Sequence, residues 1–342
     1  MTVPIIISLE GYELSKEEII LFNKIDPVGF ILFERNILNK QQLKKLVTSL
    51  KEIGKYKKLI LIDQEGGKVS RLKKPEWREM PSNYFFGQIY DKDPRIAVNL
   101  LTLNIKLLSN DLYQLGINVN CGPVLDLFIS NSNKVIGSRS FHSNPNIVCK
   151  LAEVYCKILI EGSILPVIKH IPGQGRGDED SHKKLPTVKS NIYVLNNSDF
   201  LPFKRLSDQP IAMTGHVLYS QLDKLYPGTI SSTIINNIIR DKLNFNGLLI
   251  TDDISRNMKA LGNNEVKNAN DALNAGCDII LHCSGNIESV KKISKTLPLI
   301  SDISLSRLTK AFNIIKKPYK FNYKDTLIEY KDTLKYVKNI IN

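Results

Sequence analysis

Val167-Ile168-Lys169-His170-Ile171-Pro172-Gly173-Gln174-Gly175-Arg176-Gly177-Asp178-Glu179-Asp180-Ser181-His182 passes from a β-branched, buried-type run into a polar loop with three glycines. Such a strand, ending in Lys169 and His170, delivers its chemistry at and just past its C-terminal end. The same arrangement recurs along the chain. Leu59 to Asp63 ends on Asp63, Ile211 to Gly215 is followed by His216, and Gly247 to Asp252 ends on a second acid. With Pro4 to Ser8, Val28 to Phe33, Ile117 to Asn120, Leu165 to His170 and Cys277 to Leu281, about eight strands are predicted. Helical periodicity fills the intervals at Ser15 to Ile25, Lys40 to Ile53, Pro94 to Leu115, Pro145 to Gly162, Ser231 to Leu243, Val266 to Ala275 and Ile287 to Leu297.

Eight βα units in about 300 residues fit an α/β chain folded as a (β/α)8 TIM-type barrel, with a doubly wound sheet as the alternative. The barrel is favoured because Asp63, His170, His216 and Asp252 fall at the C-terminal ends of four different strands, the rim on which barrels build active sites. No composition shift or linker divides the chain. The expectation is a single barrel domain over 1–317, followed by a helical extension over 318–342 packed on it.

Composition narrows the function classes. Of 342 residues, 42% are hydrophobic and 24% charged, which is enough to bury a large core. The longest apolar runs, such as Ile5-Ile6-Ile7 and Leu248-Leu249-Ile250, are far short of the roughly 20 residues of a membrane span, so no membrane partner is expected. The net charge of +13 comes from 47 basic and 34 acidic residues, but only ten of the basic ones are Arg. The lysines are scattered among Asn and Ile with no basic stripe, which reads as a solvated surface and not as a nucleic-acid interface. Five cysteines, an odd number with no CxxC pair, indicate neither a disulfide framework nor a zinc site, and suit a reducing compartment. Met1-Thr2 leads straight into an apolar run with no basic n-region, so that segment reads as the first strand and the expected location is the cytoplasm.

Residue types then suggest chemistry. In an extended segment Asp180 and His182 point the same way, so the carboxylate can orient the imidazole as a general acid/base pair; a solvated charged loop is the plainer reading. Gly173 to Gly177 lacks the Gly-Lys-Ser/Thr ending of a phosphate loop. Lys169 suits either a Schiff-base amine or, with His170, a donor pair for sugar hydroxyls. Asp252 and Asp253 point to opposite faces of their strand, so one enters the barrel mouth and the other serves as a cap or turn acceptor. Asp63 and Arg71, brought together by a Gly-Gly turn, suit hydroxyl recognition, while a helix-capping turn is the plainer account.

Taken together, Asp63-Gln-Glu-Gly-Gly-Lys-Val-Ser-Arg71, Ile136-Gly-Ser-Arg-Ser-Phe141, Lys169-His-Ile-Pro-Gly-Gln-Gly175, Asp180-Ser-His182, Met213-Thr-Gly-His216 and Ile250-Thr-Asp-Asp253 resemble the β-N-acetylhexosaminidases of glycoside hydrolase family 3, the NagZ type. The motifs lie in order between Asp63 and Asp253, and the resemblance runs along nearly the whole expected barrel, residue 3 to about 300. The resemblance implies a retaining exo-β-N-acetylglucosaminidase acting on peptidoglycan-derived fragments in cell-wall recycling through a covalent glycosyl-enzyme. It implies Asp252 as nucleophile and His182, held by Asp180, as acid/base. Asp63, Arg71, Arg139, Lys169, His170 and His216 would line the pocket for a terminal N-acetylglucosamine. No metal or organic cofactor is implied; the expected partner is a small sugar or muropeptide substrate, and the expected state a monomer. Within the same family, β-glucosidase and phosphorolytic activities are alternatives. From another class, so is a non-catalytic barrel that senses cell-wall fragments. The chain departs from the pattern at Gln174, where histidine is common, at Arg176-Gly177 in place of Asp-Thr, and in a segment from Asp253 to Met258 that is two residues longer.

Overall fold

The computed structural model describes residues 2–341 with the exception of 131–134, 182 and 257. Eight parallel strands close on themselves: β1 (Val3–Ile7), β2 (Pro27–Leu32), β3 (Leu59–Ile62), β4 (Val119–Asn120), β5 (Leu165–Ile171), β6 (Ile211–Thr214), β7 (Leu248–Asp253) and β8 (Ile279–His282), each bonded to the next and β8 to β1. Ile31 pairs with Leu61 across β2 and β3, Val167 with Ile211 across β5 and β6, and Ile6 with Leu281 across the closing seam. Closure leaves no edge strand, so the barrel prevails over the open doubly wound sheet.

Every residue of β1, β2, β3 and β5 is buried, because the strands have apolar neighbours on both sides. Period-two alternation sorts the side chains. Leu59 and Leu61 fill the barrel interior while Ile60 and Ile62 pack outward under the helices, and β1 does the same with Ile6 inside and Ile5 and Ile7 outside. Leu61, Val119, Val167, Ile250 and Leu281 form part of that interior core. One period further on stand Asp63, Cys121, Lys169, Asp252 and Cys283. The alternation that builds the core therefore carries two carboxylates and an amine to the mouth.

The predicted helices are all present, with clear end signals. Ser15 accepts from the Glu18 amide while the Glu18 carboxylate accepts from the Ser15 amide, a capping box that starts Lys16–Ile25. Asp93 caps Pro94–Leu115, which stops at Gly116 with φ +79°. Helices Asn83–Lys92, Ile192–Asn197, Phe200–Arg205 and Asp302–Ile314 and a parallel pair of two-residue strands, Thr187–Val188 with Leu218–Tyr219, were not anticipated. The C-terminal helix Tyr323–Ile341 lies against Pro94–Leu115. There Tyr330 and Val337 are buried, Arg78 stacks 5.1 Å from the Tyr330 ring centre, and the Tyr323 hydroxyl donates to Asp111 at 3.1 Å. Among the described residues no helix is long and apolar enough to cross a membrane.

Candidate active site

The polar residues one period past the core meet at the C-terminal mouth. Asp63 Oδ1 accepts from Lys169 Nζ at 3.0 Å and its Oδ2 from Arg71 Nη2 at 3.2 Å. Arg71 is brought back to Asp63 by the intervening turn, where Gln64 Oε1 accepts from the amides of Arg71 at 2.7 Å and Leu72 at 2.9 Å. Its guanidinium also lies 5.2 Å from the Phe33 ring centre, a contact that fixes its plane.

Glu65, which the sequence reading passed over, is the hub of the cluster. Its carboxylate accepts from Arg139 Nε at 2.9 Å and Nη2 at 2.8 Å in a two-pronged pair, and lies 2.7 Å from Lys169 Nζ. The Arg139 backbone is held in turn by Asn83, whose amide donates to its carbonyl at 2.8 Å. Burial pushes the Glu65 carboxyl up, but Arg139 and Lys169 outweigh burial and hold it at about 2. Asp63 is subject to the same opposition, with Lys169 and Arg71 winning, and lies well below the usual carboxylate range. Burial lowers Lys169, yet Asp63 and Glu65 lift it above the ordinary lysine range. A lysine held protonated between two carboxylates is not a nucleophilic amine, which removes the Schiff-base alternative.

His170 follows Lys169 at the point where the register between β5 and β6 slips. Asp126, a second residue the sequence reading missed, is 1% exposed and fixes it. Asp126 Oδ2 lies 2.7 Å from His170 Nδ1 and accepts from the His170 amide at 3.2 Å, while Oδ1 accepts from the Gln174 amide at 2.6 Å. A carboxylate at Nδ1 sets the proton there and leaves Nε2, 3.5 Å from Arg139 Nη2, as the nitrogen on the Arg139 side. Gln174 thus belongs to the anchor of the loop. At Gly175, a Cβ would stand 2.4 Å from the Leu127 carbonyl oxygen, so glycine there permits the loop to lie on the chain beneath it.

At the end of β7 the two acids divide. Asp253 is the turn acceptor, taking the amides of Ser255 at 3.0 Å and Cys283 at 2.9 Å and the Ser255 hydroxyl at 2.7 Å. Asp252 accepts the Asp253 amide at 2.8 Å and, among the described residues, has no ion-pair partner. Burial raises its carboxyl, but His216, His170, the Asp253 amide and Lys169 bring it below the ordinary carboxylate value. His216 is fully buried, with Nδ1 2.8 Å from the Thr229 hydroxyl and Nε2 2.7 Å from the Asp253 carbonyl. Both ring nitrogens are therefore engaged by the protein behind Asp252.

Asp180 is half-buried on the loop after β5, where its carbonyl accepts the amides of Lys183 and Lys184 and its charge acts on Lys68. His182 lies outside the described residues. The five cysteines are buried and unpaired with one another, and burial pushes the Cys149 thiol up to about 11 and the other four in the same direction. Among the described residues no group of three or more His, Cys, Asp or Glu side chains is placed to hold a metal ion.

This site stands on a chain with many relatives. The family description "Glycosyl hydrolase family 3 N terminal domain" matches residues 12–313. A β-hexosaminidase of Alkalilimnicola ehrlichii is 34% identical over 310 residues, covering 89% of this chain and 88% of its own length. One from Neisseria gonorrhoeae is 34% identical over 286 residues, covering 82% of this chain and 78% of its own. The crystal structure of NagZ from Neisseria gonorrhoeae in complex with N-trifluoroacetyl-D-glucosamine superposes with a TM-score of 0.85 at 28% identity, over 100% of this chain and 98% of that one. A family 3 β-N-acetylglucosaminidase from Paenibacillus sp. also reaches a TM-score of 0.85 at 28% identity, over 98% of this chain and 66% of that one. The chain belongs to glycoside hydrolase family 3 and is a hydrolase of its β-hexosaminidase, NagZ-type branch.

Proposed function

We propose that the protein is a retaining exo-β-N-acetylglucosaminidase that removes terminal N-acetylglucosamine from peptidoglycan-derived fragments, acting as a monomer in the cytoplasm. The observation that carries this reading is Asp252 at the barrel mouth, without an ion-pair partner among the described residues, beside the paired cluster of Asp63, Glu65, Lys169, Arg71 and Arg139. Support for the amino sugar comes from the related Neisseria protein crystallised with N-trifluoroacetyl-D-glucosamine. Five buried thiols suit a reducing compartment.

In this reading Asp252 attacks the anomeric carbon as the bond from that carbon to the aglycone oxygen breaks. The imidazolium of His182, oriented by Asp180, gives its proton to the departing oxygen. Neutral His182 then takes a proton from water, whose oxygen displaces Asp252 from the anomeric carbon and restores both groups. Asp63, Arg71, Arg139, Lys169 and His170 hold the hydroxyls and ring, the charged cluster acting as a preset scaffold that needs no rearrangement on binding. His216 backs Asp252 and contributes through its field, since its own nitrogens are occupied.

The test is release of 4-nitrophenol from its β-N-acetylglucosaminide and its β-glucoside by wild type, Asp252→Ala and His182→Ala. Turnover confined to the N-acetyl substrate, lost by a factor of at least about 10³ at Asp252 and strongly reduced at His182, is the expected result. Folded wild type that turns over neither substrate, with or without phosphate, refutes the enzymatic reading and leaves the sugar-sensing barrel.

A further inference from the structure

Beyond Asp252 the chain does not run directly into its helix. The Ile254 amide donates to the Leu281 carbonyl of β8 at 3.0 Å, and Ser255 is tied to Asp253 through both its amide and its hydroxyl. The Arg256 amide donates to Glu265 Oε1 at 2.9 Å, so the segment is also pinned to the first turn of helix Glu265–Ala275. Glu265 is buried and sits 3.5 Å from His282 of β8, so the pinned end of the segment lies against the barrel wall. Met258 and Ala260 are buried while Lys259 between them is exposed, so the segment lies along the protein with one edge inward. At the short helical turn Lys259–Leu261 the Ala260 amide donates to the carbonyl of Ser181 at 3.2 Å. Ser181 is 2% exposed and stands between Asp180 and His182 in the chain.

We propose that the described residues of 254–262 form a strap that runs from the nucleophile's strand to the loop bearing Asp180 and His182, and that Ala260 is a positioning residue whose N–H sets where that loop rests. The proposal rests on the reading of His182 as acid/base. A backbone amide suits this task because it has no rotamer freedom of its own, and the segment that leads to it is tied to β8 at Ile254 and to Glu265 at Arg256. If the strap positions the proton donor, its loss acts on departure of the aglycone and leaves attack by Asp252 alone.

The experiment compares kcat/KM on phenyl and 2,4-dinitrophenyl β-N-acetylglucosaminides, since a dinitrophenolate leaves without a proton. Ala260→Pro removes the single N–H at a position where the helical turn accommodates proline. It is expected to lose at least tenfold on the phenyl glycoside and less than twofold on the dinitrophenyl one. Equal losses on the two substrates, or no loss on either, overturn the strap. His182→Ala is run beside it: absence of the same split there refutes the acid/base reading itself, whereas a split at His182 without one at Ala260 refutes only the strap. Should Ala260→Pro not fold, Glu265→Ala, which releases the pin, is followed by hydrogen exchange. Faster exchange in peptides covering both 254–262 and 178–184 is expected, and an unchanged 178–184 peptide overturns the proposal.

Discussion

Replacing Glu65 by Gln keeps the shape of the hub and removes its charge. In the folded protein Glu65 is 1% exposed and serves Arg139 through two bonds and Lys169 through a third contact, so the variant leaves Lys169 paired with Asp63 and Arg139 with no directly paired carboxylate, its charge balanced only at a distance by Asp126 and Asp63. Two routes give the magnitude. A carboxyl held at about 2 against an ordinary 4.5 corresponds to about 3 kcal/mol of stabilisation at neutral pH. Breaking a buried ion pair from one side costs roughly 3–5 kcal/mol. Glu65→Gln is thus expected to lose about 3 kcal/mol at pH 7 by urea unfolding, and roughly 4 °C in Tm for a chain of this length. The sign of the pH effect follows from the lowered carboxyl. The contribution of Glu65 is complete above the unfolded value near 4.5 and fades as pH falls toward the folded value near 2, so the deficit of the variant narrows to on the order of 1 kcal/mol at pH 3. A deficit below 1 kcal/mol at pH 7, or one that is the same at pH 7 and pH 3, refutes the assignment of Glu65 as the charge that neutralises Arg139 and Lys169.

Two further outcomes follow from the same geometry. Asp126→Asn presents an amide where His170 Nδ1 and two backbone amides meet a carboxylate, so kcat/KM on the 4-nitrophenyl substrate is expected to fall at least tenfold with a stability loss of about 1–3 kcal/mol; unchanged kinetics would remove His170 from the substrate pocket. Native protein at pH 8 is expected to show no fast reaction with an aromatic disulfide reagent and five thiols per chain in 6 M guanidinium, since all five are buried with raised pKa; a rapidly reacting thiol in the native state would contradict that burial.

The barrel was legible because its strands are runs of β-branched and aliphatic residues, as in Leu59-Ile-Leu-Ile62, and because the helices between them carry their own stops at Gly116 and Gly276. The short helices Ile192–Asn197 and Phe200–Arg205 escaped because six residues are too few to establish a helical period. Asp63, Lys169 and Asp252 were legible for a physical reason: each lies one strand period beyond an inward core residue. Glu65 obeys the same period two residues after Asp63, but its place before Gly66-Gly67 made it look like part of a turn. Asp126 lies after Gly122-Pro123 in an irregular stretch that follows a two-residue strand, and no local pattern marks it; only folding brings it to His170. The tie between Ala260 and Ser181 spans 79 positions through two backbone groups, which leave no trace in residue type.

Pairing at the mouth also leaves one carboxylate without an ion-pair partner among the described residues, as the proposed nucleophile requires. Among the described residues, Arg71, Arg139 and Lys169 stand there, and two carboxylates, Asp63 and Glu65, take all three. Asp126 takes the histidine. Asp252 is left with the Asp253 amide and with the field of His216, His170 and Lys169. A direct salt bridge would have ionised Asp252 equally well, but its attack would then have had to break a buried pair, at a cost of a few kcal/mol added to the barrier. Ionisation by field and by one amide keeps the carboxylate charged while leaving an oxygen unengaged among the described residues. In the proposed mechanism an imidazole acid/base extends the same logic: once its proton is gone it is neutral, so no second negative charge would face Asp252 during its departure from the sugar.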